Sequence, residues 1–222
     1  MTKLSFQKMV FGILPVALSL TFFFPPGAMA SDASSSRELR VVALGTSFTA
    51  GKGVFQSDAF PAKLEGLLKS EGLNVRVANE GVNGNSTSDM MHRASDAAPK
   101  DTALVIYEYA WGNDRKKGID PQGTIENSRK IIAGLVERQI QVLLILRAPN
   151  RMQLEKTLHL FGSTIAENGL SYVAIEQPPS ARLPDGQFHP TVQAHAEIAA
   201  ELLPHVKKML ERTRSGEAAK NP

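Results

Sequence analysis

The stretch LRVVALGTSFTAGKG, residues 39–53, joins an uninterrupted apolar run to a glycine-flanked turn. A short β-branched run without polar alternation suits a strand covered on both faces, and the turn after it opens a helix. The same sequence of signals recurs downstream. LRVVALG, NVRVANEG, ALVIYEYA, QVLLILRA and LSYVAIE read as strands. Between them DAFPAKLEGLLKSEG, SDMMHRASDAA, GTIENSRKIIAGLVERQ and RMQLEKTLHLFGSTIAENG read as helices, the third with Ile125, Ile132, Leu135 and Val136 near helical spacing, and a last helix is expected from about Thr191 to Glu211. Strict alternation of this kind predicts an α/β fold: a three-layer α/β/α domain around a five-stranded parallel sheet with right-handed crossovers. Such sheets bind ligands at the carboxyl ends of their strands, so the turns after each strand hold the chemistry.

The first turn is not a phosphate loop. That motif needs four residues between its first glycine and Gly-Lys, then Ser or Thr, whereas five separate Gly45 from Gly51 and Gly53 follows Lys52. Nor is it the G-x-S-x-G elbow, since Thr49 stands in place of the second glycine. What remains is Ser47 at a strand-to-helix turn, where unpaired helical N–H groups face outward. Such a serine serves either as an ordinary helix cap or as a nucleophile that also donates its N–H to an oxyanion.

The later turns supply matching groups. In NEGVNGNSTS, Gly84 is able to present an N–H to a ligand, although the segment also reads as a plain turn. In AWGNDRKKG, Asn113 offers a neutral side-chain donor or a turn-former, and Trp111 is ordinarily packing. In LPDGQFHPTVQAH, His189 precedes a proline at a helix start, with Asp185 four residues earlier. A carboxylate that orients a histidine, which activates a serine, is hydrolase logic. His92, His159, His195 and His205 fall in helical patterns, and no metal-ligand set emerges, so no metal is expected.

The 222 residues suffice for one α/β domain with a sizeable core. Residues 1–30 read as a secretion signal: Lys3 and Lys8, an apolar run from Val10 to Phe24, then PPGAMA with Ala28 and Ala30 before a cleavage point near Ala30/Ser31. About fifteen apolar residues interrupted by Pro15 fall short of a membrane span, so no stable membrane anchor is expected after cleavage. The resulting division is a signal peptide at 1–30, a flexible lead-in at 31–38, the catalytic-type domain at 39–213 and a flexible tail at 214–222. This predicts a periplasmic or secreted protein. The absence of cysteine excludes a disulfide, a thiolate metal site and a cysteine nucleophile. Two of the formal +3 charges leave with the signal, which holds no Asp or Glu, and the near-neutral remainder of +1 gives no field for nucleic acid. A monomer is the default for such a domain.

Taken in order, four of these turns resemble the blocks of the SGNH (GDSL) hydrolase family, most closely its exported bacterial branch of arylesterase, acyl-CoA thioesterase and lysophospholipase enzymes. GTSFTAGKG matches a block that usually reads GDSLTAGYG, NEGVNGNST matches N-x-G-x-x-G-x-T, WGND matches G-x-N-D and DGQFHP matches D-x-x-H-P. AFPAKLEGLL and GIDPQGTIENSRKIIAGL are similar to its connecting segments, and the likeness spans Leu39 to Leu210. The resemblance implies a flavodoxin-like sheet and a serine esterase acting on small carboxylic esters or thioesters without a cofactor. It implies Ser47 as nucleophile, His189 as general base and Asp185 as the acid, with the Ser47 and Gly84 N–H groups and the Asn113 side chain as the oxyanion hole.

Three of the departures from the pattern bear on the chemistry. Thr46 replaces the aspartate before the nucleophile, a residue that supports the loop. Trp111 replaces a glycine beside the oxyanion donor, where its indole walls an acyl or aryl pocket or occludes it. The family acid stands three residues before the histidine, at Gly186 here, so a loop bulged by one residue is needed for Asp185 to reach His189; otherwise a Ser-His dyad remains. Carbohydrate O-acetyl esterases share the fold and are one alternative. A catalytically silent binding protein of the same fold is the other.

Overall fold

The computed structural model describes residues 37–215 apart from 178, 186 and 187. The expected signal peptide and most of the lead-in, up to residue 36, and the tail from residue 216 lie outside the described residues.

Strands β1 (Leu39–Gly45), β2 (Val75–Gly81), β3 (Thr102–Glu108), β4 (Gln141–Ala148) and β5 (Ser171–Glu176) form one parallel sheet in the order β2-β1-β3-β4-β5. This is the flavodoxin-like order of an α/β/α sandwich. The helices are α1 (Ser47–Ala50), α2 (Phe60–Ser70), α3 (Thr87–Ala97), α4 (Trp111–Lys116), α5 (Pro121–Glu137), α6 (Arg151–Glu167) and α7 (Val192–Arg214).

Strand β1 is covered on both faces, which explains why its sequence lacks polar alternation. Val41 and Ala43 point into one apolar layer with Phe60 and Leu64 of α2 and Leu202 and Val206 of α7. Val42 and Leu44 point into the opposite layer with Met90 of α3, Ile132 of α5 and Phe161 of α6. Burying each large apolar side chain contributes about 1.5–3 kcal/mol, so both faces of the sheet are held independently of the turns.

Two elements differ from expectation. The segment after β3, read as a turn, is the short helix α4 starting at Trp111. Helix α7 runs three residues past Glu211, where Arg212 and Arg214 in its last turn suit the negative end of the helix.

The strand order reverses at β1, whose neighbours are β2 on one side and β3 on the other. At such a switch point a crevice opens outside the carboxyl ends of the strands. The turns 45–47, 81–87 and 108–111 meet there.

Candidate active site

Ser47 owes its position to a tightly packed turn. Glycines end both β1 and β2, where Gly45 pairs with Gly81. A Cβ on Gly81 would collide with the Ala50 backbone nitrogen, and one on Gly45 with the Thr49 hydroxyl and the Glu108 carboxylate. Only bare backbone lets α1 lie this close to the sheet. Thr46 is the cap of α1, its hydroxyl accepting from Phe48 N–H at 3.5 Å. Ser47 is therefore the first helical residue, not the cap, and its hydroxyl is free for other work.

That work is with His189. Its Nε2 lies 2.9 Å from Ser47 Oγ, and its Nδ1 is hydrogen bonded to Asp185 Oδ2. A carboxylate only accepts, so Nδ1 carries the proton and Nε2 is left to accept from the serine hydroxyl. The longer spacing is absorbed by the loop. Leu183 N–H donates to His189 O at 2.8 Å, Thr191 N–H to Ala181 O at 3.1 Å, and Arg182 bridges Pro190 in antiparallel fashion. These bonds hold Ala181, Arg182 and Leu183 beside His189, Pro190 and Thr191, and Asp185 meets His189. The imidazole is buried while the Asp185 side chain is one-third exposed.

The remaining predicted residues form a second group beside this chain. Asn113, inside α4, donates from Nδ2 to Asn85 O at 2.8 Å, which engages one amide hydrogen and leaves the other. Gly84, adjacent to that acceptor, takes φ +77°, a conformation that favours glycine, with open space where a side chain would stand. Val82 N–H donates to Gly45 O at 3.1 Å and so fastens this turn beside Ser47. Neither Asn113 nor Gly84 is hydrogen bonded to Ser47, His189 or Asp185. Trp111 is 39% exposed with Arg115 stacked 5.3 Å from its ring centroid, so it stands outward at the mouth.

The buried charges that organise these turns escaped the motif reading. Glu108, fully buried at the end of β3, accepts from Thr46 N (2.9 Å), Thr46 Oγ1 (2.8 Å), Thr49 N (3.3 Å) and Thr49 Oγ1 (2.7 Å). Arg147 at the end of β4 pairs with it at 2.9 Å and lies over the Phe48 ring. Asp114, also fully buried, accepts from Thr87 N, Thr87 Oγ1 and Thr124 Oγ1 at 2.6–2.7 Å, tying α4 to α3 and α5. Arg93 reaches Gly45 O and Glu80 O, both at 3.0 Å, and Asn85 Oδ1 at 2.7 Å. A signal was available: Glu in LVIYEYA and Arg in LLILRAP are opposite charges near the carboxyl ends of adjacent, fully buried strands, and buried charges require partners.

His195 is the packed histidine its helical position suggested. It is fully buried, and Phe60 N–H donates to its Nδ1 at 3.1 Å. Burial, aided by the positive Lys63, lowers its pKa to about 4, so the ring is neutral. Among the described residues no group of His, Asp or Glu is placed to hold a metal ion.

The family model for the GDSL-like lipase/acylhydrolase family matches residues 43–197. No curated protein matches the chain. Among solved structures, TesA superimposes with TM-score 0.66 at 24% identity over 78% of this chain and 99% of its own. AlinE4, described as an SGNH-hydrolase family esterase, gives TM-score 0.59 at 27% identity over 78% and 97%. The psychrotrophic esterase EstA from Pseudoalteromonas sp. gives TM-score 0.66 at 18% identity over 78% and 98%. A serine, a histidine and an acid in linked array, on a sheet of this order and within a matched stretch that spans most of the domain, lead to one assignment: the chain belongs to the GDSL-like lipase/acylhydrolase family.

Proposed function

We propose that this hydrolase is a serine esterase cleaving carboxylic ester or thioester bonds of small acyl substrates. The reading rests on the hydrogen-bonded chain from Asp185 through His189 to Ser47. Ser47 Oγ attacks the carbonyl carbon as His189 Nε2 takes its proton, and the resulting imidazolium is stabilised by Asp185. The Ser47 and Gly84 N–H groups and the second Asn113 amide hydrogen receive the negative charge that develops on the carbonyl oxygen. His189 then returns the proton to the leaving alcohol or thiol, and water releases the acyl group by the reverse sequence. The mechanism uses no cofactor. AlinE4, at 27% identity over nearly its whole length, supports ester chemistry.

We propose export as well, on the sequence of residues 1–30. Residues 1–30 act as a cleaved signal, and a monomer works in the periplasm or outside the cell.

The test is hydrolysis of p-nitrophenyl acetate, butyrate and octanoate by the wild type, Ser47→Ala and Asp185→Ala. Loss of activity in both variants supports the triad. Activity lost only with Ser47 reduces it to a dyad, and a wild type no faster than Ser47→Ala on every ester overturns the esterase reading.

A further inference from the structure

The surface around Ser47 is unusual in what it exposes. Of eight large apolar side chains exposed among the described residues, six (Phe55, Val82, Trp111, Met152, Phe188 and Val192) lie in turns or the first two residues of helices at the carboxyl edge of the sheet. Phe55, at 81% exposure, makes the most extreme commitment. Isolated exposed apolar residues need no explanation, but a concentration on one face does.

The segments that carry them are joined into one surface. A Cβ on Gly53 would collide with Leu183, so the turn bearing Phe55 abuts the loop bearing Phe188. Arg182 stacks 4.3 Å from the Phe188 ring centroid and donates to Pro149 O at 3.4 Å, which brings in the turn before Met152. The Val82 bond to Gly45 and the Asn113 bond to Asn85 link the opposite side, where Trp111 stands.

The side chains left without an ion pair on this edge are mostly cationic. Lys52, Arg115 and Lys116 are exposed and form no ion pair among the described residues, and Arg182 is likewise unpaired by any carboxylate. The acids nearby are engaged: Asp58 by Lys63, Asp89 by Lys117 and Asp185 by His189, while Glu108 and Asp114 are buried. Three acids remain: Glu80 near the end of β2, half-buried and facing Arg93, Asp120, exposed at the cap of α5, and Glu176, exposed at the end of the outermost strand.

We infer that this edge is a docking face for an anionic phospholipid surface, with Phe55 and Trp111 settling among the headgroups and Ser47 turned towards the bilayer. Aromatic and aliphatic side chains rimmed by unpaired Lys and Arg are the composition that binds the boundary of an anionic membrane. No helix among the described residues is long and apolar enough to cross a membrane, and the inferred contact is peripheral. Docking needs the rim and its charges, not turnover at Ser47, so it stands or falls separately from the esterase reading.

Trp111 is the only tryptophan in the chain and so reports on this face alone. The experiment is Trp111 fluorescence of the full chain carrying Ser47→Ala, titrated with vesicles of phosphatidylcholine alone or mixed with phosphatidylglycerol. The expected result is a blue shift with the mixed vesicles and quenching by lipids brominated high in the acyl chain. Lys52→Glu with Lys116→Glu lowers the apparent partitioning at least about tenfold, and Phe55→Ser, an exposed position that leaves packing intact, weakens it too. Emission that does not move while the protein sediments with vesicles overturns the inference, because attachment then occurs elsewhere. An equal shift with phosphatidylcholine alone, or variants that bind like the parent, also overturns it. A shift that grows with protein concentration without lipid assigns the face to a second copy. The full shift produced by a soluble short-chain ester reduces the rim to an acyl-binding wall.

Discussion

Replacing Glu108 by glutamine tests whether a buried carboxylate holds the nucleophile turn in place. Glu108 Oε2 receives Thr46 N–H, Thr49 N–H and the Thr49 hydroxyl, while Oε1 receives the Thr46 hydroxyl and two N–H groups of Arg147. A glutamine keeps the shape but turns one of these acceptor atoms into a donor. With its NH2 at the Oε2 position it faces three donors; at the Oε1 position it faces the guanidinium and strips Arg147 of its only carboxylate partner among the described residues. Breaking a buried ion pair by removing one member costs about 3–5 kcal/mol. For a domain of this size that is a fall in Tm of roughly 10 °C. The turn also carries Ser47, and a displacement of about 1 Å at a catalytic group costs on the order of a hundredfold in rate. Thermal unfolding and p-nitrophenyl butyrate kinetics should therefore show Glu108→Gln less stable and about a hundredfold slower, with the loss in kcat and little change in KM. Adding Arg147→Met should recover part of the stability, since the stranded cation is gone, without restoring the rate. A Glu108→Gln enzyme with unchanged Tm and kcat would refute the assignment of this carboxylate as the support of the turn.

Three further outcomes follow from the same geometry. On the proposed mechanism Asn113→Ala removes a donor to the developing oxyanion and should lower kcat on p-nitrophenyl esters by about 10²–10³-fold, while the Tm stays near wild type because the side chain makes one hydrogen bond to Asn85 O. Asp114→Asn should instead lower Tm by several degrees, because one acceptor facing Thr87 and Thr124 becomes a donor. His195 has a folded pKa of about 4 against an ordinary value of 6.5, so the unfolded chain binds the extra proton between those values and stability falls as pH drops through that window. The loss is at most about 3 kcal/mol, and in His195→Asn, whose amide oxygen can still accept from Phe60 N–H, Tm measured from pH 7 to 4 should decline less steeply.

The fold was legible because its signals are local. A parallel strand buried on both faces must be apolar throughout, and QVLLILRA marks β4 at Gln141–Ala148 to the residue. Helix α4 was missed for the opposite reason: AWGNDRKKG has a glycine and no apolar periodicity, and its helical form depends on Asp114 being bonded to Thr87 and Thr124 from other elements. Ser47, His189 and Asn113 stood out because each follows a strand or precedes a helix in a short motif. The contact of Asp185 with His189 could not be read from spacing, since it depends on the bonds that close the loop between Ala181 and Thr191. Glu108 and Arg147 lie 39 residues apart, and only the pairing of β3 with β4 brings them together.

The most direct test of the central claim is covalent capture of the nucleophile. The wild-type protein is treated with a p-nitrophenyl phosphonate, whose phosphorus is attacked by an activated serine with release of p-nitrophenolate, and the site is located by peptide mass spectrometry. The account predicts stoichiometric p-nitrophenolate release and a single adduct on Ser47, formed far more slowly in His189→Ala. An unlabelled Ser47, or labelling that proceeds equally well without His189, would contradict it.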